Sequence, residues 1–186
     1  RDGSHYRRTG GGVTFSGGEP LLQAEVLCRI MSSPELSGVS KAVDTAGNVP
    51  WGNFSKVLSC TDLFLYDVKC MDSARHKEGT GAGNGLIQEN LERLCRTGKA
   101  VWIRVPVIPG FNDSEEELLA IAAYADTLPG VTQIHILPYH RYGEGKYESL
   151  GRPYLLKEVP MLPEGKMERL KALVEEKTAL SCQIGG

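Results

Sequence analysis

Five short runs along the chain are rich in β-branched and aromatic residues and read as strands: residues 13–15, 39–44, 63–68, 101–107 and 133–137. Between them apolar residues recur at helical spacing. They are Leu21, Leu22, Val26, Leu27 and Ile30 after Pro20, then Phe54, Val57 and Leu58 after Pro50, then Leu86, Leu91 and Leu94 after Asn84. Residues 114–127 form the clearest helix. Ser114 and Glu117 have capping-box spacing, Glu115, Glu116 and Glu117 place negative charge at the helix N-terminus, and Leu128-Pro129-Gly130 stops it. A last helix over residues 166–176 carries Met167, Leu170, Leu173 and Val174 on one stripe, after a loop containing Pro153, Pro160 and Pro163. With no internal repeat or linker, the alternation predicts one α/β domain over residues 1–186, a parallel sheet whose right-handed crossovers put helices on an outer face. Such a sheet is either doubly wound or a piece of a β/α barrel, and ligands gather at the carboxyl ends of the strands in both.

Period-two alternation decides which side chains share a face. In residues 63–69, Leu65, Asp67 and Lys69 fall on one side, and Phe64, Tyr66 and Val68 on the other. Val101, Ile103, Val105 and Val107 form an unbroken aliphatic face suited to covering helices, which turns Arg104 to the opposite side. Asp44 ends the run at 39–44, and His140 follows the last run through Pro138 and Tyr139. Glu19, Asp44, Asp67 with Lys69, Arg104 and His140 are therefore expected to converge on one rim. Singly, Asp67, Lys69 and Arg104 also suit a structural ion-pair network, and His140 a satisfied loop histidine; the convergence points to a site.

Composition narrows the function classes. The chain has 186 residues, 41% apolar and 24% charged, with 21 basic and 23 acidic side chains and a net charge of -2. A chain of this length buries roughly 70% of its unfolded surface, so a core needs neither disulfides nor a structural metal. Balanced charge without a Lys/Arg run argues against a nucleic-acid partner. No stretch approaches the roughly 20 apolar residues of a membrane span, so no membrane partner is expected. The first twelve residues are polar and glycine-rich, without an apolar signal core or an initiator methionine, as if the chain began within a longer protein. Cys28, Cys60, Cys70, Cys95 and Cys182 contain no CxxC cluster and read as isolated, small buried thiols of a reducing cytoplasm. Gly79, Gly81, Gly83 and Gly85 do not meet the dinucleotide fingerprint, because residues 71–78 separate them from the preceding strand, and they read as a flexible loop carrying Lys77.

The segment Gly11-Gly12-Val13-Thr14-Phe15-Ser16-Gly17-Gly18-Glu19-Pro20-Leu21-Leu22-Gln23 is a strand ending in two residues without Cβ, which opens the backbone to close ligand approach before Pro20 starts a helix. As a whole string it resembles the signature of the glycyl-radical enzyme activating enzymes, the group that includes pyruvate formate-lyase activating enzyme. Asp44-Thr45-Ala46-Gly47 resembles that family's DTxG turn, Asp67-Val68-Lys69 its DxK strand, residues 102–110 its WIR...PG segment, and Leu137-Pro138-Tyr139-His140 its LPYH end. The resemblance covers residues 10–177 or so.

The resemblance implies a member of the radical S-adenosylmethionine (SAM) superfamily. The implied fold is a partial β/α, TIM-type barrel, here with about five parallel strands, outer helices and the first strand missing. The implied activity is reductive cleavage of SAM with an electron from a 4Fe-4S cluster, giving a 5'-deoxyadenosyl radical that abstracts hydrogen from a glycine of a partner enzyme. By the same resemblance, Gly17, Gly18 and Glu19 receive the methionyl amino group, Asp44, Thr45 and Asp67 hold a monovalent cation, and Asp44, Lys69, Arg104 and His140 line the remaining cofactor pocket. An ammonium suits carbonyls and a carboxylate, and a carboxylate suits Lys, Arg or a cation. The implied partners are a glycyl-radical enzyme and a flavodoxin- or ferredoxin-type electron donor.

One departure stands beside the match. The family's CxxxCxxC cluster motif lies upstream of the GGE segment, and none of the five cysteines reproduces its spacing. The expectation is a fragment with no catalytic residue of its own and no activity alone, prone to self-association through the open edge at residues 13–15. Tyr6-Arg7-Arg8-Thr9 and the glycines after it resemble the junction found in members with an inserted ferredoxin-like segment. Two rival readings remain: a degenerate barrel that only binds a nucleotide or a partner, and another radical SAM subclass acting on a small molecule or RNA.

Overall fold

A computed structural model of the chain describes residues 11–140, 151 and 158–185. In chain order the elements are β1 (Gly12–Phe15), α1 (Ala24–Met31), β2 (Ser40–Thr45), α2 (Trp51–Val57), β3 (Leu63–Asp67), α3 (Ser73–Thr80), α4 (Gly85–Cys95), β4 (Ala100–Val107), α5 (Glu115–Asp126), β5 (Val131–Pro138), α6 (Lys166–Lys177) and β6 (Ser181–Ile184). Among the described residues the strands form one parallel sheet in the order β1-β2-β3-β4-β5-β6. A doubly wound sheet reverses its strand order at a switch point. This one does not, so the chain winds in a single sense, and the barrel-type alternative is the one realised.

The two sheet faces differ as the alternation requires. Val101, Ile103, Val105 and Val107 are fully buried, and with Phe64, Tyr66, Ile134 and Ile136 they pack against Leu91 and Leu94 of α4, Leu118 and Ile121 of α5, and Leu170 and Val174 of α6. Burying a large aliphatic side chain contributes about 1.5–3 kcal/mol, so this layer dominates the stability of the fold. The intervening residues, Leu65, Asp67, Trp102, Arg104 and Pro106, are half-buried on the opposite face. Trp102 stacks on His135 there, with ring centroids 5.0 Å apart.

Local capping follows the sequence closely in α5, where Ser114 Oγ accepts from Glu117 N at 3.2 Å. The Glu117 carboxylate, however, accepts from Met71 N at 2.7 Å and so anchors the segment after β3.

Two expectations are corrected. A sixth strand, β6, pairs with β5 from Gln133↔Ser181 to Ile136↔Ile184. Of the expected loop, Lys77 and Gly79 belong instead to the helix α3: Asp72 Oδ1 accepts from Arg75 N at 2.7 Å at its start, and Gly81 closes it at φ 86°. Gly79 inside it is required by packing, since a Cβ there would meet the Phe111 ring at 2.4 Å. At the other end of the sheet, β1 has no outer neighbour among the described residues. Leu22, Val26 and Ile30, on and just before α1, are exposed.

Candidate functional site

The site is assembled where β2, β3 and β4 end. Alternation puts Asp44, Asp67 and Arg104 on the half-buried face, and the register sets Asp67 beside Arg104 and Arg104 beside His135. The Arg104 guanidinium reaches over β3, a span of roughly two strand spacings of about 4.8 Å, to pair with Asp44 at 2.5 Å. Ser16 Oγ donates to the same carboxylate oxygen at 2.9 Å. Lys69 Nζ pairs with Asp67 at 2.7 Å. These side chains are a fifth to a quarter exposed. Ion pairs in contact with water contribute about 0.2–1 kcal/mol, so a ligand carboxylate or ammonium can exchange with either partner at small cost.

Glu19 is placed differently from an open acceptor. Its Oε1 accepts from Thr45 Oγ1 at 2.8 Å and from Leu21 N at 3.2 Å, and its Oε2 accepts from Ala46 N at 3.0 Å. Thr45 Oγ1 in turn accepts from Gly47 N at 3.0 Å. Glu19 thus clasps the turn after β2, and Oε2 retains lone-pair capacity for a further donor. Gly17 and Gly18 stand clear, with nothing within 4 Å of a Cβ built at either. His140 is exposed just beyond the end of β5.

The structure therefore brings Glu19, Asp44, Thr45, Asp67, Lys69 and Arg104 to one end of the sheet, with the Gly17-Gly18 loop beside them. Within the chain Asp44 pairs with Arg104 and Ser16, Asp67 with Lys69, and the Thr45 hydroxyl with Glu19 and Gly47. Donors for SAM fit. Arg104 Nε is buried without a partner among the described residues, so an acceptor from a ligand would satisfy it. A 4Fe-4S cluster does not fit. Among the described residues no group of three or more His, Cys, Asp or Glu side chains is gathered as metal ligands.

Three buried asparagines, missed in the sequence, hold the site's loops. Asn112 Nδ2 donates to Lys69 O at 2.7 Å and Pro106 O at 2.8 Å, while its Oδ1 accepts from Ile108 N at 2.7 Å. Asn90 Nδ2 donates to Gly47 O at 2.9 Å and Val49 O at 2.8 Å. Asn84 Nδ2 donates to Cys70 O at 2.9 Å and Met71 O at 2.7 Å. Two of them, Asn84 and Asn112, sit in turn-like stretches, GNG and FND, which was the available signal. Beneath the turn after β2, the Tyr66 hydroxyl donates to Ile87 O at 2.7 Å, and burial pushes its ionisation far above the ordinary range.

A cleft of about 170 Å³ opens beside the ion pair, lined by Asn48, Asp67, Lys69, His76 and Thr80 among others. His76 Nδ1 lies 2.6 Å from Ala82 O. A carbonyl only accepts, so the neutral ring carries its proton on Nδ1 and keeps Nε2 as an acceptor. Sequence reasoning missed His76 and Thr80 because it read their helix as a loop.

Comparison with known proteins places this arrangement among others. No family model matches the chain. A pyruvate formate-lyase-activating enzyme of Clostridium pasteurianum is 37% identical over 172 residues, 92% of this chain and 72% of that protein. An isethionate sulfite-lyase activating enzyme of Nitratidesulfovibrio vulgaris is 42% identical over 178 residues, 95% of this chain and 57% of that protein. A crystallised domain of a pyruvate-formate lyase-activating enzyme from Bacteroides vulgatus superposes with a TM-score of 0.77 at 29% identity, covering 95% of this chain and 99% of that one. The chain spans little more than half the length of several curated relatives that it matches.

Proposed function

The chain belongs to the activating enzymes of glycyl-radical enzymes, and we propose that it is the part of such an enzyme that binds SAM and the glycine segment of the partner. When bound, SAM reduced by a 4Fe-4S cluster supplies a 5'-deoxyadenosyl radical that takes hydrogen from that glycine. The cluster belongs to the longer protein in this reading, since the described residues do not fit one. A glycyl-radical enzyme is the macromolecular partner, a flavodoxin- or ferredoxin-type protein the electron donor, and the cytoplasm the compartment. Among the described residues no helix is long and apolar enough to cross a membrane.

The chain's own residues bind and orient. The open Gly17-Gly18 backbone and the spare capacity of Glu19 Oε2 accept an ammonium. Arg104, already lying along the sheet face with its Nε unpartnered, exchanges Asp44 for a ligand carboxylate. Lys69, held in place through its backbone by Asn112, presents its ammonium to the cleft beside Asp67. Trp102 and His135 stack on the same half-buried face and exclude water from part of it. The observation that carries the reading is the pair of exchangeable ion pairs, Asp44–Arg104 and Asp67–Lys69, toward the carboxyl ends of β2, β3 and β4.

The test is anaerobic assay of the full-length protein from which the chain comes, with its cluster reconstituted and a chemical reductant supplied. The expected result is 5'-deoxyadenosine from SAM and a glycyl radical, read by electron paramagnetic resonance, on a partner encoded nearby. SAM binding without cleavage, or no binding at all, would instead favour the non-redox barrel.

A further inference from the structure

Cys28 lies on α1, and Cys60 ends the short turn Leu58–Cys60 that follows α2. Far apart in sequence, they are brought together by the packing of α1 on α2. Their sulfurs are 3.5 Å apart, and the Cys60 thiol also donates to Val57 O at 3.3 Å. Cys70, Cys95 and Cys182 are buried, whereas Cys28 and Cys60 are both partly exposed. Disulfide-bonded sulfurs stand about 2.05 Å apart, so the two need to close by about 1.5 Å.

Access to the pair is unequal. Cys28 lines an open cavity of about 640 Å³ together with Glu25, Arg29 and Lys56. Lys56 pairs with Glu25 at 2.7 Å, and with Arg29 the lining carries two cationic groups against one carboxylate. That balance favours an anionic reagent. Cys60 is not among the residues lining that cavity, and burial, reinforced by Cys28, pushes its thiol up to about 11. Cys60 therefore keeps its proton at neutral pH, and Cys28 meets the reagent first.

We infer that Cys28 and Cys60 form a redox modification site that takes an anionic low-molecular-weight disulfide, such as glutathione disulfide, as its oxidant. Cys28, as thiolate, attacks one sulfur of the reagent, breaking its S–S bond and releasing the first small thiol. Cys60 then attacks the Cys28 sulfur of the mixed disulfide and displaces the second small thiol. Two protein thiols lose two electrons, the reagent gains them, and the two protons end on the released thiols. The cross-link closes residues 28–60, which carry Asp44 and Thr45, and so restrains one wall of the proposed site. The inference rests on the fold and not on the proposed activity.

The experiment uses this chain itself, equilibrated in its folded state with glutathione disulfide, blocked with N-ethylmaleimide, digested and mapped by mass spectrometry. The expected product is a Cys28–Cys60 cross-linked peptide, reversed by dithiothreitol, with Cys70, Cys95 and Cys182 alkylated only after unfolding. The oxidised chain should melt at least about 5 °C higher, since a loop of this length is tied in the unfolded state. Cys60→Ser should stop the reaction at glutathione on Cys28, and Cys28→Ser should slow modification of Cys60 at least about tenfold. The inference is overturned if no cross-link forms, if it forms no faster in the folded chain than in urea, or if Cys28→Ser leaves Cys60 reacting at its original rate. The mapping on the unaltered chain needs no substitution, so it remains decisive even where a variant misfolds.

Discussion

Asn112 joins the carboxyl ends of β3 and β4 through three hydrogen bonds of 2.7, 2.8 and 2.7 Å, and it is fully buried. Asn112→Ala removes all three and leaves the Ile108 N–H and the Lys69 and Pro106 carbonyls short of a partner. Each bond contributes about 1 kcal/mol net, and a buried group left unsatisfied costs about 1–3 kcal/mol, so a loss near 3 kcal/mol is expected. For a chain of this size that lowers the melting temperature by about 6–12 °C. Asn112→Asp keeps the acceptor for Ile108 but turns an oxygen toward two carbonyls, and should destabilise at least as much. Urea denaturation followed by circular dichroism measures both, with an unchanged m-value showing that the denatured state is not the cause. Asn48→Ala, at an exposed position, is the control and should stay within about 0.5 kcal/mol. A loss below about 1 kcal/mol for Asn112→Ala, or one equal to the control, would refute the idea that this side chain holds the two strand ends together.

Three further outcomes are expected. Gly47→Ala should cost at least about 2 kcal/mol, because φ is 72° there and a Cβ would meet the Tyr66 hydroxyl at 1.9 Å; Gly52→Ala, on α2 with open space around it, should stabilise by up to about 1 kcal/mol. Thermal melts of the two variants decide this. Burial lowers the pKa of His135, with Arg104 adding to the effect against a bond to Gly185 O. The unfolded chain therefore binds the extra proton first: the stability His135 contributes is present above about pH 6.5 and declines as pH falls below that value. His135→Gln should flatten that decline in urea titrations between about pH 7 and 5, and an unchanged slope would count against it. Finally, the chain incubated anaerobically with iron and sulfide should hold no stoichiometric 4Fe-4S cluster, since no three of its cysteines meet at one point; charge-transfer absorption with about four irons per chain would contradict this.

Most of the sheet was legible because its strands obey strict alternation. Val101 to Val107 is the clearest case, where four aliphatic residues on one face turn Arg104 to the other, and the register then sets Arg104 beside Asp67. β6 was hidden because it is four residues long with Cys182 alone buried, too short and too polar on its outer positions to show a period. α3 was hidden for a related reason: only His76 of its eight residues is buried, and its glycine belongs to a contact with Phe111 that no local pattern records. Charge and strand position were enough to place Asp44, Asp67, Lys69 and Arg104 at one end of the sheet. They were not enough to find who pairs with whom, since Asp44 meets Arg104 across an intervening strand. Nor could sequence separate Glu19 as a clasp on Thr45 and Ala46 from Glu19 as an open acceptor, because that depends on where the turn after β2 comes to rest. The Cys28–Cys60 contact was invisible for the same reason, being a product of how α1 packs on α2.

The central claim is that Lys69 and Arg104 stand in a SAM pocket, and isothermal titration of SAM into the full-length, cluster-loaded protein tests it most directly. Losing one charge-assisted contact in a partly buried site costs about 1.5–3 kcal/mol, and about 1.4 kcal/mol is already tenfold. Lys69→Ala and Arg104→Ala should each weaken SAM binding at least about tenfold and lower deoxyadenosine formation with it, while Lys77→Ala, on the exposed face of α3, should leave both unchanged. Wild-type affinity in both pocket variants, with folding and cluster content intact, would contradict the account.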